Sequence, residues 1–157
     1  MYNPYDFEKY PKRKNPRLKD HDYASENVYF VTICTHEKRC IFWNNGTQNE
    51  LGNIAEQGIR QINQHYSDID VRKYVVMPNH VHLIINVHEG KIRLDQAIGT
   101  YKAFVSRFIH RDFPEMIVWQ KSFHDHIIRN EEEYQKIWLY IEANPMNWVK
   151  DCFYNKM

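Results

Sequence analysis

The chain has 157 residues and a formal net charge of +1, so it is long enough for one domain with a real core and too short for two. The near-neutral charge favours no particular class of partner. Three cysteines without a C-x-x-C spacing argue against a disulfide framework and a cysteine zinc site. A cytoplasmic location is therefore predicted, and no stretch is apolar and long enough to predict a membrane span or a membrane partner.

Residues 1–25 are polar and contain several prolines, which predicts a basic N-terminal arm with little regular structure. The segment from Lys12 to Lys19 carries five basic residues and no acid. Such a run indicates either a contact with an anionic polymer or a solvated tail.

The first half of the chain predicts a strand, a helix and a hairpin, from β-branched and aromatic runs and from apolar residues at helical spacing. The predicted elements are a strand over 27–35, a helix over 51–66, and strands over 69–77 and 80–87. Pro78 and Asn79 interrupt the last two strands and indicate the hairpin turn.

The second half predicts a helix over 93–113, one or two strands within 117–129, and a last helix over 131–143. Asn130 and Glu133 have the spacing of an N-cap and its reciprocal partner at the start of that helix. Pro145 prevents the helix from continuing beyond Asn144.

The resulting order is β-α-β-β-α-β with one added helix, which is the ferredoxin-like pattern of the α+β class. It predicts an antiparallel sheet with helices on one face, and leaves the other face for a site or for the added C-terminal helix. We therefore predict a basic arm over 1–25, a single domain over 26–150 and a tail over 151–157.

Two histidines interrupt the apolar segment "VVMPNHVHLIINV". Because strand side chains alternate between faces, His80 and His82 should lie on one face, about 7 Å apart at Cα. The opposite face, which should be the core side, consists of Val81, Leu83, Ile85 and Val87. Two imidazoles so placed can bind one divalent ion, or can be ordinary surface histidines. Nucleotide hydrolases with a third, nucleophilic histidine are excluded because Ile84 stands at that position.

The last helix presents an apolar stripe that includes Tyr134 and a separate stripe that includes Lys136, Tyr140 and Asn144. An asparagine carbonyl is a suitable ligand for a hard cation, and a lysine one turn before Tyr140 could neutralise phosphate charge. The alternative is that Tyr140 packs at the edge of the core with its hydroxyl in water.

Three segments together, "YVVMPNHVHLIINV", "WQKSFHDHIIRNEEEY" and "YIEANPMNW", resemble the HUH single-strand DNA transposases, specifically their REP-associated tyrosine transposase-like branch. By that resemblance, His80 and His82 match the metal-binding histidines and Tyr140 matches the nucleophile. Asn144 matches a polar residue that completes the metal site, where relatives often carry glutamine. Tyr134 is the nearest competing tyrosine and does not match the motif.

The resemblance implies cleavage and rejoining of single-stranded DNA next to hairpins through a 5′-phosphotyrosine, with Mg²⁺ or Mn²⁺ and no small-molecule cofactor. It also allows a homodimer. The residues predicted to contact DNA are Arg13, Lys14, Arg17, Lys102, Arg107 and Lys136. One alternative is a domesticated protein that binds DNA hairpins without cutting them. Another is a metal-independent structural homologue whose histidines lie on the surface.

Overall fold

A four-stranded antiparallel sheet forms the centre of the computed structural model, which describes residues 27–89 and 92–154. The strands are β1 (Asn27–Cys34), β2 (Trp43–Asn44), β3 (Thr47–Gln48), β4 (Ile69–Met77), β5 (His80–Val87) and β6 (His124–Ile128). The α-helices are α1 (Glu50–His65), α2 (Leu94–Ile109) and α3 (Glu131–Ala143), with short 3₁₀ helices at His36–Lys38 and Pro145–Lys150. The α+β class predicted from the sequence is therefore confirmed.

The sheet has the strand order β4-β5-β1-β6, and every neighbouring pair is antiparallel. Strands β4 and β5 form the hairpin that Pro78 and Asn79 predicted. Two central strands, β5 and β1, come from distant parts of the chain, which is the ferredoxin-like arrangement. Strands β2 and β3 form a separate two-stranded hairpin.

Helices α1 and α2 cover one face of the sheet, and the main core lies between them and the sheet. Val31 and Ile33 of β1 and Leu83 and Ile85 of β5 are fully buried there. These positions alternate along each strand, as a two-residue side-chain period requires. The face of β5 that packs against the core is therefore the aliphatic face predicted from the sequence.

Helix α3 covers the opposite face and forms a second, smaller core. Ile137, Tyr140 and Ile141 of α3 pack against Phe30 of β1 and Ile84 of β5. His80 and His82 share this face, but both are buried, with 0% of their surface exposed. The alternative that they are surface histidines is therefore wrong, because α3 and the segment after it enclose the pair.

The start of α3 is fixed by two side chains. Asn130 Oδ1 accepts a hydrogen bond from the Glu133 N–H at 2.8 Å, as the predicted N-cap requires. Glu133 does not complete the reciprocal bond to the N–H of Asn130: its Oε2 accepts from the Arg129 N–H at 3.0 Å, and its Oε1 lies 2.5 Å from His126 Nε2. The carboxylate thereby ties α3 to strand β6.

None of the helices in the described residues is long and apolar enough to cross a membrane.

The close approach of α1 and α2 gives a matched pair of stability predictions. A Cβ atom at Gly58 of α1 would lie 2.8 Å from Tyr101 and 2.9 Å from Val105 of α2, whereas one at Gly99 would meet no atom within 4 Å. We expect Gly58→Ala to lower the free energy of unfolding by about 1–3 kcal/mol through overpacking. Gly99→Ala should raise it by about 0.5–1 kcal/mol, because alanine favours the helix over glycine. Urea denaturation of both variants measures the two effects, and equal shifts would contradict the close packing at Gly58.

Candidate metal and nucleophile site

The site is centred on the two histidines of β5. The strand register sets His82 opposite Thr32 and His80 opposite Cys34 of β1. The Nε2 atoms of the two imidazoles lie 3.0 Å apart, and their ring centroids are 4.4 Å apart. A strand therefore brings both ring nitrogens to one point on the α3 face of the sheet.

The remaining ring nitrogen of each histidine has a buried partner. His80 Nδ1 lies 2.8 Å from Asn79 Oδ1. The Asn79 amide nitrogen donates to the carbonyl oxygens of Lys38 and Phe153, so Oδ1 is the acceptor and His80 Nδ1–H donates to it. His82 Nδ1 bonds Thr32 Oγ1 at 2.7 Å. Such partners orient metal-binding imidazoles and, at His80, leave the Nε2 lone pair available.

A carboxylate completes the group. Asp151 Oδ2 lies 3.9 Å from His80 Nε2, and one ligand atom from each of His80, His82 and Asp151 lies within 4.8 Å of the others. Asp151 Oδ1 accepts from the Phe153 N–H at 2.7 Å, which holds the carboxylate in place. Sequence reasoning placed this residue in the tail and missed it, because no periodicity or motif marks the segment after Pro145.

Tyr140 reaches the same group from α3. Its hydroxyl lies 3.5 Å from Asp151 Oδ2, at the outer limit of a hydrogen bond, and its ring centroid lies 5.4 Å from that of His82. Tyr134 instead stacks on Trp138 at 6.0 Å. The structure thus brings Tyr140 beside the histidines and holds Tyr134 elsewhere, while the role of Tyr140 as nucleophile stays a prediction.

Asn144, predicted as a metal ligand, lies at the C-cap of α3 and is only 3% exposed. Burial raises the pKa of Tyr140 and of Asp151, and the Asn144 amide is close enough to both to oppose this shift in part. Neither amide atom of Asn144 makes a hydrogen bond with the described residues. A buried amide without partners is costly. A bound cation beside it would satisfy the carbonyl oxygen.

Burial controls the protonation of the site. It lowers the pKa of His80 to about 3, helped by the charge of Lys38, and it lowers the pKa of His82 well below the usual value, helped by His80. Both imidazoles are therefore neutral near pH 7, which is the form that binds metal. Burial and the nearby Asp151 raise the pKa of Tyr140, and burial raises the pKa of Asp151.

The residues fit a divalent cation. A separation of 3.0 Å between the two Nε2 atoms is that of neighbouring ligands in an octahedron with bonds of about 2.1 Å. Two imidazoles with a carboxylate and an amide oxygen form a mixed nitrogen and oxygen donor set, as divalent transition metals accept. The choice between Mg²⁺ and Mn²⁺ stays a prediction.

The segment after α3 closes the site. Phe153 stacks on His80 with ring centroids 4.8 Å apart, and Trp148 lies 6.1 Å from the same imidazole. Both aromatic residues are 7% exposed. Together with α3, this segment therefore encloses the histidines.

Two of the predicted DNA contacts lie on α2, across the sheet from the histidines. The Lys102 ammonium donates to the carbonyl oxygens of Gln120, Lys121 and Ser122. These bonds brace the loop before β6, which favours a structural role for Lys102. Arg107 is exposed, and its guanidinium lies 5.6 Å from the ring centroid of Phe108.

Lys136, another predicted DNA contact, lies one helical turn before Tyr140 on α3. It is exposed and pairs with Glu132 at 2.6 Å. Because exposed ion pairs are weak, a phosphate could replace Glu132 as its partner. The remaining predicted contacts, Arg13, Lys14 and Arg17, lie outside the described residues.

The buried histidines make the stability of the metal-free protein depend on pH. The folded-state pKa of both histidines is lowered, so below the unfolded-state pKa of about 6.5 the unfolded chain binds protons that the folded protein does not. The free energy of unfolding is therefore unaffected by these two histidines above that pH and decreases as the pH falls below it. We expect each to reduce the free energy of unfolding by up to about 1.4 kcal/mol per pH unit in this range. Urea denaturation in EDTA at pH 7, 6 and 5 measures the slope. His80→Gln should be less stable at pH 7 and should show a shallower slope; an unchanged slope would contradict a buried, neutral His80.

Comparison with known proteins agrees with this geometry. The chain matches the family described as "Transposase IS200 like" over residues 23–144. It is 34% identical over 167 aligned residues to an uncharacterized protein of Haemophilus influenzae, covering 90% of this chain and 93% of that protein. It is 32% identical over 83 residues to the REP-associated tyrosine transposase of Escherichia coli, covering 52% of this chain and 48% of that protein.

A solved structure has the same fold. It is that of a REP-associated tyrosine transposase bound to a REP hairpin, with a TM-score of 0.65 and 19% sequence identity, covering 83% of this chain and 73% of that one. The fold and the family match together define the class: this chain belongs to the IS200-like transposase family. The resemblance predicted from the sequence, to REP-associated tyrosine transposases, is confirmed.

Proposed function

We propose that this protein cleaves and rejoins single-stranded DNA next to hairpins, with Tyr140 as the nucleophile and a divalent metal in the histidine site. The observation that supports this most directly is that Tyr140, Asp151 and the histidine pair meet in one buried group. A core without chemistry has no need of four such side chains at one point. Membership of the transposase family gives the reaction class.

The metal would be held by His80 Nε2, His82 Nε2 and Asp151 Oδ2, with the Asn144 carbonyl oxygen as a further ligand. When bound, a divalent cation acts as a Lewis acid that polarises the scissile phosphate. Asp151 thus joins the set predicted from the sequence, because its carboxylate lies closest to the pair in the segment after α3.

Tyr140 supplies the nucleophile. The Tyr140 oxygen attacks phosphorus, the bond between phosphorus and the 3′-oxygen breaks, and a 5′-phosphotyrosine and a 3′-hydroxyl result. The step releases the phenolic proton and consumes one proton at the leaving 3′-oxygen, so the protons balance. Since burial and the nearby Asp151 raise the pKa of Tyr140 in the metal-free protein, a cation bound beside the hydroxyl would be needed to favour the phenolate.

Rejoining is the reverse step. The phosphotyrosine keeps the energy of the broken phosphodiester, so a 3′-hydroxyl from a second strand can attack it and release Tyr140 without another energy source. The exclusion of water around Tyr140, which is 7% exposed, protects this intermediate from hydrolysis.

The substrate follows from the relatives. One solved relative is bound to a REP hairpin, and we infer that this chain also recognises a DNA hairpin with a single-stranded flank. Lys136 on α3 and the basic arm are the residues proposed to contact its phosphates, because lysine and arginine supply the electrostatic part of nucleic-acid binding.

The test is an adduct assay with end-labelled oligonucleotides from the DNA beside its own gene, each a hairpin with a single-stranded flank. With Mn²⁺ or Mg²⁺, a band of covalent protein–DNA adduct should appear on a denaturing gel, together with a shorter free strand. EDTA should remove both products, and the same hairpin without its flank should yield neither. Hairpin binding without any adduct in either metal would refute cleavage and favour a protein that only binds.

A further inference from the structure

A strained turn lies beside the histidine site. Glu37 and Lys38 are consecutive non-glycine residues with left-handed backbones, at φ values of 54° and 53°. Non-glycine residues adopt this conformation at a cost, and such outliers concentrate at functional sites. The turn persists because the Lys38 N–H donates to the Thr35 carbonyl oxygen at 3.1 Å and the Thr35 hydroxyl donates to the Arg39 carbonyl oxygen at 2.8 Å.

The turn is tied to a metal-binding histidine through one asparagine. The Asn79 amide nitrogen donates to the Lys38 carbonyl oxygen at 3.1 Å, and Asn79 Oδ1 accepts from His80 Nδ1 at 2.8 Å. The residue that orients His80 therefore also fixes the backbone of Lys38. The position of this lysine relative to the site is set by buried hydrogen bonds, although the residue itself is exposed.

The Lys38 side chain lies over a ring that packs on the histidines. Its ammonium is 5.1 Å from the ring centroid of Phe153. The centroid of that ring is 4.8 Å from the centroid of His80 and 6.1 Å from that of His82. One aromatic ring therefore separates this positive charge from the two imidazoles.

We propose that Lys38 binds a phosphate of the DNA strand beside the Tyr140 site and so positions the neighbouring scissile phosphate. Lysine binds phosphate as a compact point charge. The bonds of Asn79 to the Lys38 backbone and to His80 fix the segment that carries this charge next to the histidines. This inference rests on the proposed cleavage of DNA at Tyr140.

The first test compares Lys38→Gln with Lys38→Arg, which keeps the charge. Arg111→Gln is the control, since it removes one positive charge from an exposed residue that packs on Phe108 of α2. Lys38→Gln should slow single-turnover cleavage about tenfold, and its slope of log affinity against log salt should be smaller by about 0.7, the value for one phosphate contact in a single strand. Lys38→Arg should restore both, and Arg111→Gln should match the wild type.

The second test finds the phosphate. Oligonucleotides that carry one uncharged methylphosphonate, moved along the strand around the cleavage position, are bound to the wild type and to Lys38→Gln. The wild type should lose affinity at one position next to the scissile phosphate, and Lys38→Gln should be insensitive there while it keeps the losses elsewhere.

The two proposals fail in different ways. If the wild type forms no adduct, cleavage is refuted, while the salt slope and the methylphosphonate scan still decide whether Lys38 contacts DNA. If the wild type forms the adduct and Lys38→Gln shows the same rate, salt slope and methylphosphonate losses, the role of Lys38 alone is refuted. A slower rate with an unchanged salt slope would also refute it, because a structural role for the turn gives that result.

Discussion

Tyr140→Phe is expected to lose the covalent adduct and the cleaved strand together, with a fall in cleavage of roughly 10⁴-fold or more, as for other nucleophile deletions. The ring should keep its place, because it packs edge-on against Phe30 at 6.2 Å and beside His82 at 5.4 Å. The hydroxyl has one long contact, to Asp151 at 3.5 Å, so the free energy of unfolding should change by less than about 1 kcal/mol. The adduct gel and a urea titration measure the two effects.

The matched control is Tyr134→Phe. Tyr134 lies on the same helix and is also partly buried, but it stacks on Trp138 and its ring packs against the second core. It should keep both adduct and cleavage. If Tyr134→Phe lost the adduct while Tyr140→Phe kept it, the assignment of the nucleophile would be wrong, and the site would have to be rebuilt around Tyr134.

The parts of the fold that were predicted correctly are those encoded by neighbouring residues. Strands β4 and β5 have the predicted bounds, because the apolar runs and the Pro78-Asn79 turn between them are local signals. The start of α3 was found because Asn130 satisfies an N–H of its own first turn. The shared face of His80 and His82 followed from strand alternation alone.

The parts that were missed depend on contacts between distant segments. Strand alternation places the two histidines on one face but cannot say what covers that face, and the burial of the pair comes from α3 and the aromatic residues that follow it. Asp151 reaches the site only because the 3₁₀ helix Pro145–Lys150 carries the chain back to the sheet. The bonds of Lys102 to loop carbonyls are equally non-local. No spacing in the sequence reports such contacts.

Loss of one histidine should remove the response of the protein to metal. A ligand that binds only the folded state stabilises it by about 2.7 kcal/mol at a concentration of 100 Kd, so Mn²⁺ should raise the Tm of the wild type. His80→Gln and His82→Gln should each show no such rise and should form no adduct, because each lacks one of the two Nε2 ligands. Glutamine is preferred to alanine, since both rings are fully buried and truncation would leave a cavity that itself destabilises the protein.

His124→Gln is the control for this experiment. His124 lies on the same face of the sheet, on β6 opposite Thr32, but it is exposed and is not part of the group that His80, His82 and Asp151 form. The His124→Gln variant should keep the Mn²⁺-dependent rise in Tm.

Asp151→Asn, titrated with Mn²⁺ in the same assay, tests the carboxylate separately from the histidines. A weaker but measurable rise in Tm is expected, because both imidazoles remain while the carboxylate charge is gone. A full Mn²⁺ response in His80→Gln and His82→Gln would show that the metal binds elsewhere, and the histidine pair would then be a structural element of the second core.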